Sequence, residues 1–246
     1  MLDGIRLAVT TLTVLPLRTG RVDRSAAAVA MAVAPAVGAL LGLVLAGLHE
    51  GLRALGSPAL VAAGVTVAAG ALLTRGLHLD GLADTVDALG SYRSGPAALE
   101  IMKKPDIGPF GVVALAATVL IQTAAVSSAG PWAIVTAWAA GRLAITVACR
   151  RGVPAARPGG MGALVASTVP GWALTVAATL TVALGAAAVP GRPWQGPVAV
   201  ALSGLAVVLL LRHVVRRFGG VTGDVLGASV ELAVTLTLVA LTTVPS

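Results

Sequence analysis

Charged residues, aromatic residues and cysteine are all scarce in this chain. Only 11% of its 246 residues are Asp, Glu, Lys or Arg, against roughly 25% in an average soluble domain. By contrast, 57% of the residues are hydrophobic, and the mean hydropathy is +0.94. A water-soluble fold could not bury so much apolar surface, so the composition indicates a membrane protein. The single cysteine, Cys149, excludes a disulfide framework within one chain.

The scarcity of aromatic residues also argues against nucleic-acid binding. The net charge is +7 and the pI is about 11.2, but aromatic residues make up only 3% of the chain and no basic helix is interleaved with them. The patterns Gly-x-Ser-x-Gly and Cys-x-x-Cys and the P-loop are also missing, so serine hydrolase, zinc and P-loop nucleotide chemistry are unsupported. We therefore expect no nucleic-acid partner and look for the function in the membrane-spanning part of the chain.

The apolar runs predict an all-α fold, a polytopic transmembrane bundle of about seven helices in a single domain covering residues 1–246. An interfacial or partly inserted segment at 2–16 comes first. Gly- and Pro-rich breaks separate the runs, and Pro35 predicts a kink in the first span whose freed backbone groups other helices must satisfy. The predicted spans are 26–48, 58–77, 107–129, 131–149, 170–189, 197–212 and 225–244.

The basic residues predict the orientation of these spans. All but three of the 17 Lys and Arg residues fall on one face if the spans alternate; Arg53 and Arg192 fall on the other face and Arg142 lies inside a span. By the positive-inside rule the basic face is cytoplasmic. Acidic residues, which that rule does not place, gather on the same face, apart from Glu50 and the deeper Glu231. We therefore expect a polar site at the cytoplasmic face of the bacterial inner membrane.

The most informative segment is 76–87, which follows the second predicted span. On a helix, Asp84 lies about 40° and Asp87 about −20° from Asp80, so the three carboxylates share one face. No Lys or Arg lies among them to relieve the repulsion, and a set of carboxylate oxygens suits a hard cation such as Mg²⁺. The alternative is that these aspartates simply end the helix and face water. His78, beside them, is a candidate phosphate donor or a helix-end hydrogen bond.

A second polar segment, 218–231, joins the last two spans. Thr222 or Asp224 can cap the final helix, and Glu231 falls on the same face as Asp224, one or two turns deeper. An ionisable residue at that depth is costly unless it is paired. Glu231 therefore either completes a polar site or pairs with a cation such as Arg142, in which case the pair only fixes packing.

Between these segments, 91–111 supplies cations that suit substrate phosphates: Arg93, Lys103 and Lys104. Glu100 and Lys104 are spaced for a helical ion pair, and Pro105 ends that short helix. The alternative is an amphipathic helix that lies on the membrane surface.

Together these segments resemble the signature blocks of the cobalamin synthase family (adenosylcobinamide-GDP ribazoletransferases). The matching blocks are His78-Leu79-Asp80-Gly81-Leu82-Ala83-Asp84-Thr85-x-Asp87, Leu99-Glu100-Ile101-Met102-Lys103 with Ile107-Gly108-x-Phe110-Gly111, and Gly219-Gly220-x-Thr222-Gly223-Asp224-x-Leu226-Gly227-Ala228 with Glu231-Leu232. The earlier Thr11-Leu12-Thr13-x-Leu15-Pro16 and Pro35-x-x-Gly38-x-x-x-Gly42 also fit.

The resemblance implies a Mg²⁺-dependent membrane enzyme that joins adenosylcobinamide-GDP to α-ribazole, or to its 5′-phosphate, and releases GMP. CDP-alcohol phosphotransferases run a similar reaction, but Asp84 stands where their pattern has Arg. The alternatives are a phosphatidyltransferase acting on a lipid CDP-alcohol and a transporter with Arg142 and Glu231 along its path. The lipid bilayer is a partner in every case, and the oligomeric state is left open between a monomer and a homo-oligomer.

Our hypothesis assigns roles to individual residues within this reaction. Asp84 and Asp87 are the catalytic candidates, with Asp87 as the base that accepts the proton of the ribazole hydroxyl. The predicted metal ligands are Asp80, Asp84, Asp224 and Glu231. The predicted substrate-binding residues are His78, Arg93, Lys103, Lys104, Arg142 and Thr222.

Overall fold

A computed structural model describes residues 1–18 and 20–243, and within these ranges helices joined by turns and loops make up the chain, with two isolated β-bridges. The helices, numbered in chain order, are α1 (Leu2–Leu12), α2 (Arg24–Ala32), α3 (Ala34–Ala54), α4 (Ala59–Leu73), α5 (Leu77–Gly90), α6 (Gly95–Ile101), α7 (Pro109–Val126), α8 (Pro131–Ala148), α9 (Gly160–Val165), α10 (Gly171–Gly185), α11 (Gln195–Phe218) and α12 (Gly223–Thr242).

The predicted polytopic bundle is confirmed. Five described helices, α3, α7, α8, α11 and α12, are long and apolar enough to cross a membrane, and the bent pair α4–α5 makes a sixth if it counts as one span. The α10 helix is apolar but only 15 residues long, which is shorter than the ~20 residues that a straight span needs. Residue 244, the last of the predicted final span, lies outside the described residues. At 11 residues, α1 is also too short to span.

The second predicted span, 58–77, is wrong at its end. The α4 helix stops at Leu73, and the chain turns by 88° before α5 begins at Leu77. Arg75 and Gly76 adopt positive φ angles of 57° and 67°, which a continuing right-handed helix does not allow. The acidic segment therefore lies on a helix of its own, which leaves α4 at nearly a right angle.

The first predicted span is broken as expected at Pro35. The break at Val33 separates α2 from α3, because a proline has no N–H to donate to the carbonyl four residues earlier. That carbonyl belongs to Met31, and it accepts instead a hydrogen bond of 2.8 Å from the Thr146 hydroxyl of α8. A neighbouring helix thus satisfies the freed backbone group, as predicted.

The core of the bundle is α8. Within its 18 residues 83% are buried, and it is packed by α3, α10, α11 and α12. The α3 helix comes close because Gly38 and Gly42 face it: a Cβ on Gly38 would collide with the Trp138 carbonyl oxygen, and one on Gly42 would lie 2.7 Å from the Val135 Cα. Small residues at such crossings allow close van der Waals packing where lipid removes the hydrophobic drive.

Long-range hydrogen bonds of arginine tie helix ends and loops together at one end of the bundle. Arg75 donates through Nη2 to the carbonyl oxygens of Thr10 (3.1 Å) and Thr11 (3.2 Å), and Arg217 Nε donates to the Arg93 carbonyl oxygen at 2.9 Å. These helix ends and loops are segments that the charge pattern assigns to a common face. Their meeting agrees with that grouping, while the side of the membrane on which they lie stays a prediction.

Candidate active site

Two glycines bring the predicted acidic segments together. A Cβ on Gly81 of α5 would lie 2.6 Å from the Asp224 carbonyl oxygen of α12, and a Cβ on Gly227 would lie 3.0 Å from the His78 carbonyl oxygen. Because neither glycine has a side chain, the backbones of α5 and α12 meet directly. The acidic segments 76–87 and 218–231, far apart in the sequence, therefore form one site.

Asp80, Asp84 and Asp224 meet at this crossing. Asp80 is exposed, and Asp84 and Asp224 are half-buried. The carboxylate of Asp84 lies within electrostatic range of Asp80, Asp224 and Asp87. Thr222 supports the cluster, because its hydroxyl oxygen accepts the Val225 N–H at 3.2 Å to cap α12 and lies 3.1 Å from Asp224 Oδ2, to which the hydroxyl can donate. The arrangement gathers negative charge at a spot that is only partly open to solvent.

Arg157 is the cation that faces the cluster, and sequence reasoning missed it as a site residue. It acts electrostatically on both Asp84 and Asp224, and its Nη2 donates to the Leu99 carbonyl oxygen at 3.0 Å. The Arg157 Nε is buried and has no hydrogen-bond partner among the described residues. In the sequence, Arg157 stands in a Pro- and Gly-rich stretch that reads only as a break between spans.

The loop that carries Arg157 is fixed against the start of α12. The Ala156 N–H donates to the Val221 carbonyl oxygen at 3.0 Å, and the Val221 N–H donates to the Pro154 carbonyl oxygen at 2.9 Å. Gly220 is required at this contact, because a Cβ there would collide with the 154–156 backbone. The loop after α8 thus holds Arg157 beside Asp224.

Asp87 has different partners from the other aspartates. Its Oδ2 accepts the Gly108 N–H at 2.7 Å and its Oδ1 accepts the Gly111 N–H at 2.9 Å, and only 9% of the residue is exposed. These are free N–H groups of the first turn of α7, so Asp87 caps that helix from a distance. Both carboxylate oxygens are engaged, which favours a positioning role over the predicted role as a base.

An open cleft of about 310 Å³ adjoins the cluster. Its polar lining includes Asp84, Asp87 and Lys104, with Ile107 and Phe110 among its apolar walls. The structure thus places Lys104 in the same cleft as Asp84, and its role in binding phosphate stays a prediction.

The other two predicted phosphate-binding cations do not line this cleft. Lys103 Nζ is paired with Glu100 Oε1 at 2.6 Å, and the hydrogen bond from Lys103 lowers the pKa of Glu100. The helical pair is therefore Glu100 with Lys103 rather than with Lys104. Arg93 is exposed, and its contribution to the structure is the carbonyl oxygen that accepts from Arg217.

His78 lies on the other side of the crossing. It is 3% exposed, and together with Thr11, Met161 and Asp224 it lines a cavity of about 190 Å³. The His78 Nε2 has no hydrogen-bond partner among the described residues. The histidine is thus placed to contact a group that enters beside Asp224.

Glu231 and Arg142 lie apart from this cluster, inside the bundle. Glu231 Oε2 accepts a hydrogen bond of 2.8 Å from Gln122 Nε2, which also donates to Thr235 Oγ1 at 3.0 Å. Arg142 and Glu231 line an interior cavity of about 20 Å³, which has room for about one water. Neither residue lines the cleft beside Asp84 or the cavity beside Asp224. No ion pair among the described residues joins Glu231 to Arg142, so the predicted pairing is not seen. The hydrogen bond from Gln122 favours a packing role for Glu231 over its predicted role as a metal ligand.

The donor set of the cluster fits Mg²⁺ in kind, since it consists of carboxylate oxygens. Among the described residues no three Asp, Glu, His or Cys side chains converge on a point that could hold a metal ion. Mg²⁺ is usually bound by one or two carboxylates together with substrate phosphates rather than by a complete protein cage. Asp80, Asp84 and Asp224 therefore suit a site that substrate completes.

Comparison with known proteins identifies the family. The family model for cobalamin-5-phosphate synthase matches residues 4–242. Proteins named adenosylcobinamide-GDP ribazoletransferase are similar over the whole length: one from Frankia casuarinae is 41% identical, covering 100% of this chain and 97% of the relative, and one from Nocardioides sp. is 42% identical, covering 98% of each. No solved structure matches the chain. The chain belongs to the cobalamin-5-phosphate synthase family, which confirms the family predicted from its sequence blocks.

Proposed function

We propose that this chain transfers the phosphocobinamide group of adenosylcobinamide-GDP to α-ribazole, or to α-ribazole 5′-phosphate, with release of GMP. The product is adenosylcobalamin or its 5′-phosphate, formed in the last steps of cobalamin biosynthesis. The family and the activity named for its relatives support this function. The structural observation that carries it is the meeting of Asp80, Asp84 and Asp224 with Arg157 beside an open cleft.

The first task of the site is to hold a diphosphate. Two adjacent phosphates need positive charge and fixed donors, and Arg157 provides a guanidinium beside Asp84 and Asp224 whose Nε has no hydrogen-bond partner among the described residues. Lys104 contributes a second cation from the wall of the cleft. Mg²⁺ held by one or two of the carboxylates of Asp80, Asp84 and Asp224, with phosphate oxygens of the substrate completing the site, would neutralise further charge on the diphosphate. Without such a cation, three carboxylates in this position would repel the substrate.

The second task is to activate the acceptor. The ribazole hydroxyl oxygen attacks the phosphorus that bears the cobinamide, the bond from that phosphorus to the GMP oxygen breaks, and GMP leaves with the bonding electrons. The hydroxyl proton must pass to a base. Both Asp84 and Asp87 line the cleft. Asp84 is better placed for this role, because the carboxylate of Asp87 is engaged by two backbone N–H groups.

The third element of the proposal is the location of the site. The basic loops gather at the end of the bundle that carries Asp84, so we place this end in the cytoplasm and the spans in the bacterial inner membrane. Both substrates are soluble, which agrees with a cytoplasmic opening. Each chain carries both acidic segments, so one chain supplies both parts of the proposed site, whether it acts as a monomer or as a homo-oligomer.

The test is GMP release by the protein purified into liposomes, supplied with adenosylcobinamide-GDP and α-ribazole in Mg²⁺ and then in EDTA. We expect equal amounts of GMP and cobalamin in Mg²⁺ and neither in EDTA. CDP-diacylglycerol, offered in place of the cobinamide substrate, should give no CMP. Release of CMP instead of GMP would support the lipid phosphatidyltransferase, and folded protein without either product would reject the proposal.

A further inference from the structure

One helical face of α11 changes from leucine to arginine along its length. Val198, Leu202, Leu205 and Leu209 are 45–57% exposed and recur at spacings of four, three and four residues, which places them on one face. Arg212 and Arg216 continue the same spacing, and both are exposed. The apolar part of this face suits lipid chains, and the arginines mark the point at which it leaves them.

The length of α11 agrees with a helix that crosses the membrane and leaves the lipid chains near Arg212. Trp194, which is 56% exposed, immediately precedes α11, and Trp is enriched at the membrane–water interface. From Trp194 to Arg212 a helix rises by about 27 Å, close to the roughly 30 Å thickness of the hydrocarbon core. If Trp194 lies at one interface, Arg212 and Arg216 lie at the headgroup level of the other.

A cleft of about 450 Å³ opens beside these arginines. Arg150, on the loop that follows α8, lines the opposite wall, and Val153, Leu209 and Val215 are among the residues that make the surface apolar. Two of the guanidinium groups are anchored by one nitrogen each: Arg150 Nη1 donates to the Val147 carbonyl oxygen at 2.8 Å, and Arg216 Nε donates to the Arg212 carbonyl oxygen at 3.2 Å. The cleft therefore combines cationic side chains with apolar walls.

No carboxylate balances this charge. The lining of the cleft contains no acidic residue, and none of the ion pairs among the described residues involves Arg150, Arg212 or Arg216. Three uncompensated arginines that converge on a cleft attract an anion, and arginine binds phosphate oxygens with paired N–H donors. The cleft lies at the edge of the apolar face. An anionic phospholipid fits both features, because its headgroup carries the negative charge and its acyl chains are apolar.

We infer that this cleft, lined by Arg150, Arg212 and Arg216, binds the headgroup of an anionic phospholipid, with the acyl chains lying along the Val198–Leu209 face of α11. The cleft is lined by different residues from the one beside Asp84. Lipid binding here would anchor the loop after α8, the same loop that presents Arg157 to the acidic cluster. The inference does not depend on the reaction that the protein catalyses.

The experiment measures lipid binding directly. The full-length protein in detergent is titrated with dioleoyl phosphatidylglycerol or dioleoyl phosphatidylcholine, and bound lipid is counted by native mass spectrometry. We expect tight binding of the anionic lipid only. The double variant R212Q/R216Q should bind it roughly thirty-fold more weakly, since each arginine near an anionic lipid contributes about five-fold. The variant R212K/R216K, which keeps the charge, should retain most of the binding.

Arg151→Gln is the matched control, because Arg151 is an exposed arginine next to Arg150 that does not line the cleft. It should bind phosphatidylglycerol like the parent protein. An equal loss in Arg151→Gln, or no loss in R212Q/R216Q, would overturn the inference. Displacement of the lipid by millimolar inorganic phosphate would also overturn it, since the cleft would then be a site for free phosphate rather than for a lipid.

Discussion

Gly81 of α5 lies against the backbone of Asp224 in α12, so closely that a Cβ at position 81 would be 2.6 Å from the Asp224 carbonyl oxygen and 2.9 Å from its Cα. Backbone atoms of a helix cannot move aside as the end of a side chain can. This contact sets the distance between the two acidic segments. The distance between the backbones of α5 and α12 therefore depends on position 81 having no side chain.

Gly81→Ala should push α5 away from α12. We expect a loss of stability of about 1–3 kcal/mol from overpacking and a large loss of GMP release, because Asp84 and Asp224 would separate. Thermal unfolding and turnover in liposomes measure the two effects. Gly204→Ala is the matched control, because Gly204 lies within α11 and an added Cβ there would have nothing within 4 Å. The higher helix propensity of alanine should stabilise this variant protein by up to about 1 kcal/mol. Equal behaviour of the two variants would contradict the proposed contact.

Asp87→Asn separates capping from base catalysis. An asparagine can accept only one of the two N–H groups that Asp87 binds, and its NH₂ group would face the other. We expect the free energy of unfolding to fall by about 1–3 kcal/mol and the loop before α7 to become sensitive to protease. A pure base would give a different result, namely an inactive protein with unchanged stability and unchanged proteolysis.

Arg157→Gln should weaken substrate binding and transfer together. The loss of a charge-assisted contact with phosphate corresponds to about 1.5–3 kcal/mol, or roughly 10- to 150-fold in kcat/KM. Arg157→Lys should recover part of the activity, because it keeps the charge but not the planar donor group. Arg151→Gln removes an exposed arginine of the same loop and should keep full activity. Full activity in Arg157→Gln would remove Arg157 from the site.

Glu231→Gln tests whether the interior carboxylate binds metal. The substituted amide can still accept the hydrogen bond from Gln122, so the packing should persist. We expect the Mg²⁺ concentration that gives half-maximal activity to stay unchanged, whereas Asp84→Asn should raise it at least about ten-fold if one metal ligand is lost. A shift of similar size in both variants would restore Glu231 to the metal site.

The sequence predicted the site in outline because its signals are local. The spacing of Asp80, Asp84 and Asp87 and the run from Thr222 to Asp224 can be read along single helices, and the structure brings Asp80, Asp84 and Asp224 together. The break at Pro35 was predictable for the same reason, since it follows from the missing N–H of one residue. Such features depend on neighbours in the chain.

Other features depend on tertiary contacts and could not be read from the sequence. Arg157 became a site residue only through the pairing of its loop with Val221. Asp87 shares the helical face of Asp84, yet its oxygens are engaged by α7. The right-angled turn at Arg75 was not readable, because Thr74-Arg75-Gly76 marks the end of an apolar run but not the direction in which the next helix leaves. Periodicity gives the face of a helix but not the partner that occupies that face.

The role of the aspartates at the crossing of α5 and α12 is tested by single-turnover GMP release with Asp84→Asn and Asp224→Asn in liposomes at saturating Mg²⁺. Glu50→Gln, which changes a carboxylate at the other end of the bundle, serves as the control. We predict that both aspartate variants unfold at the temperature of the parent protein but release GMP at least about a thousand-fold more slowly, while the control is unaffected. Near-normal release by either folded variant would contradict its place in the catalytic site.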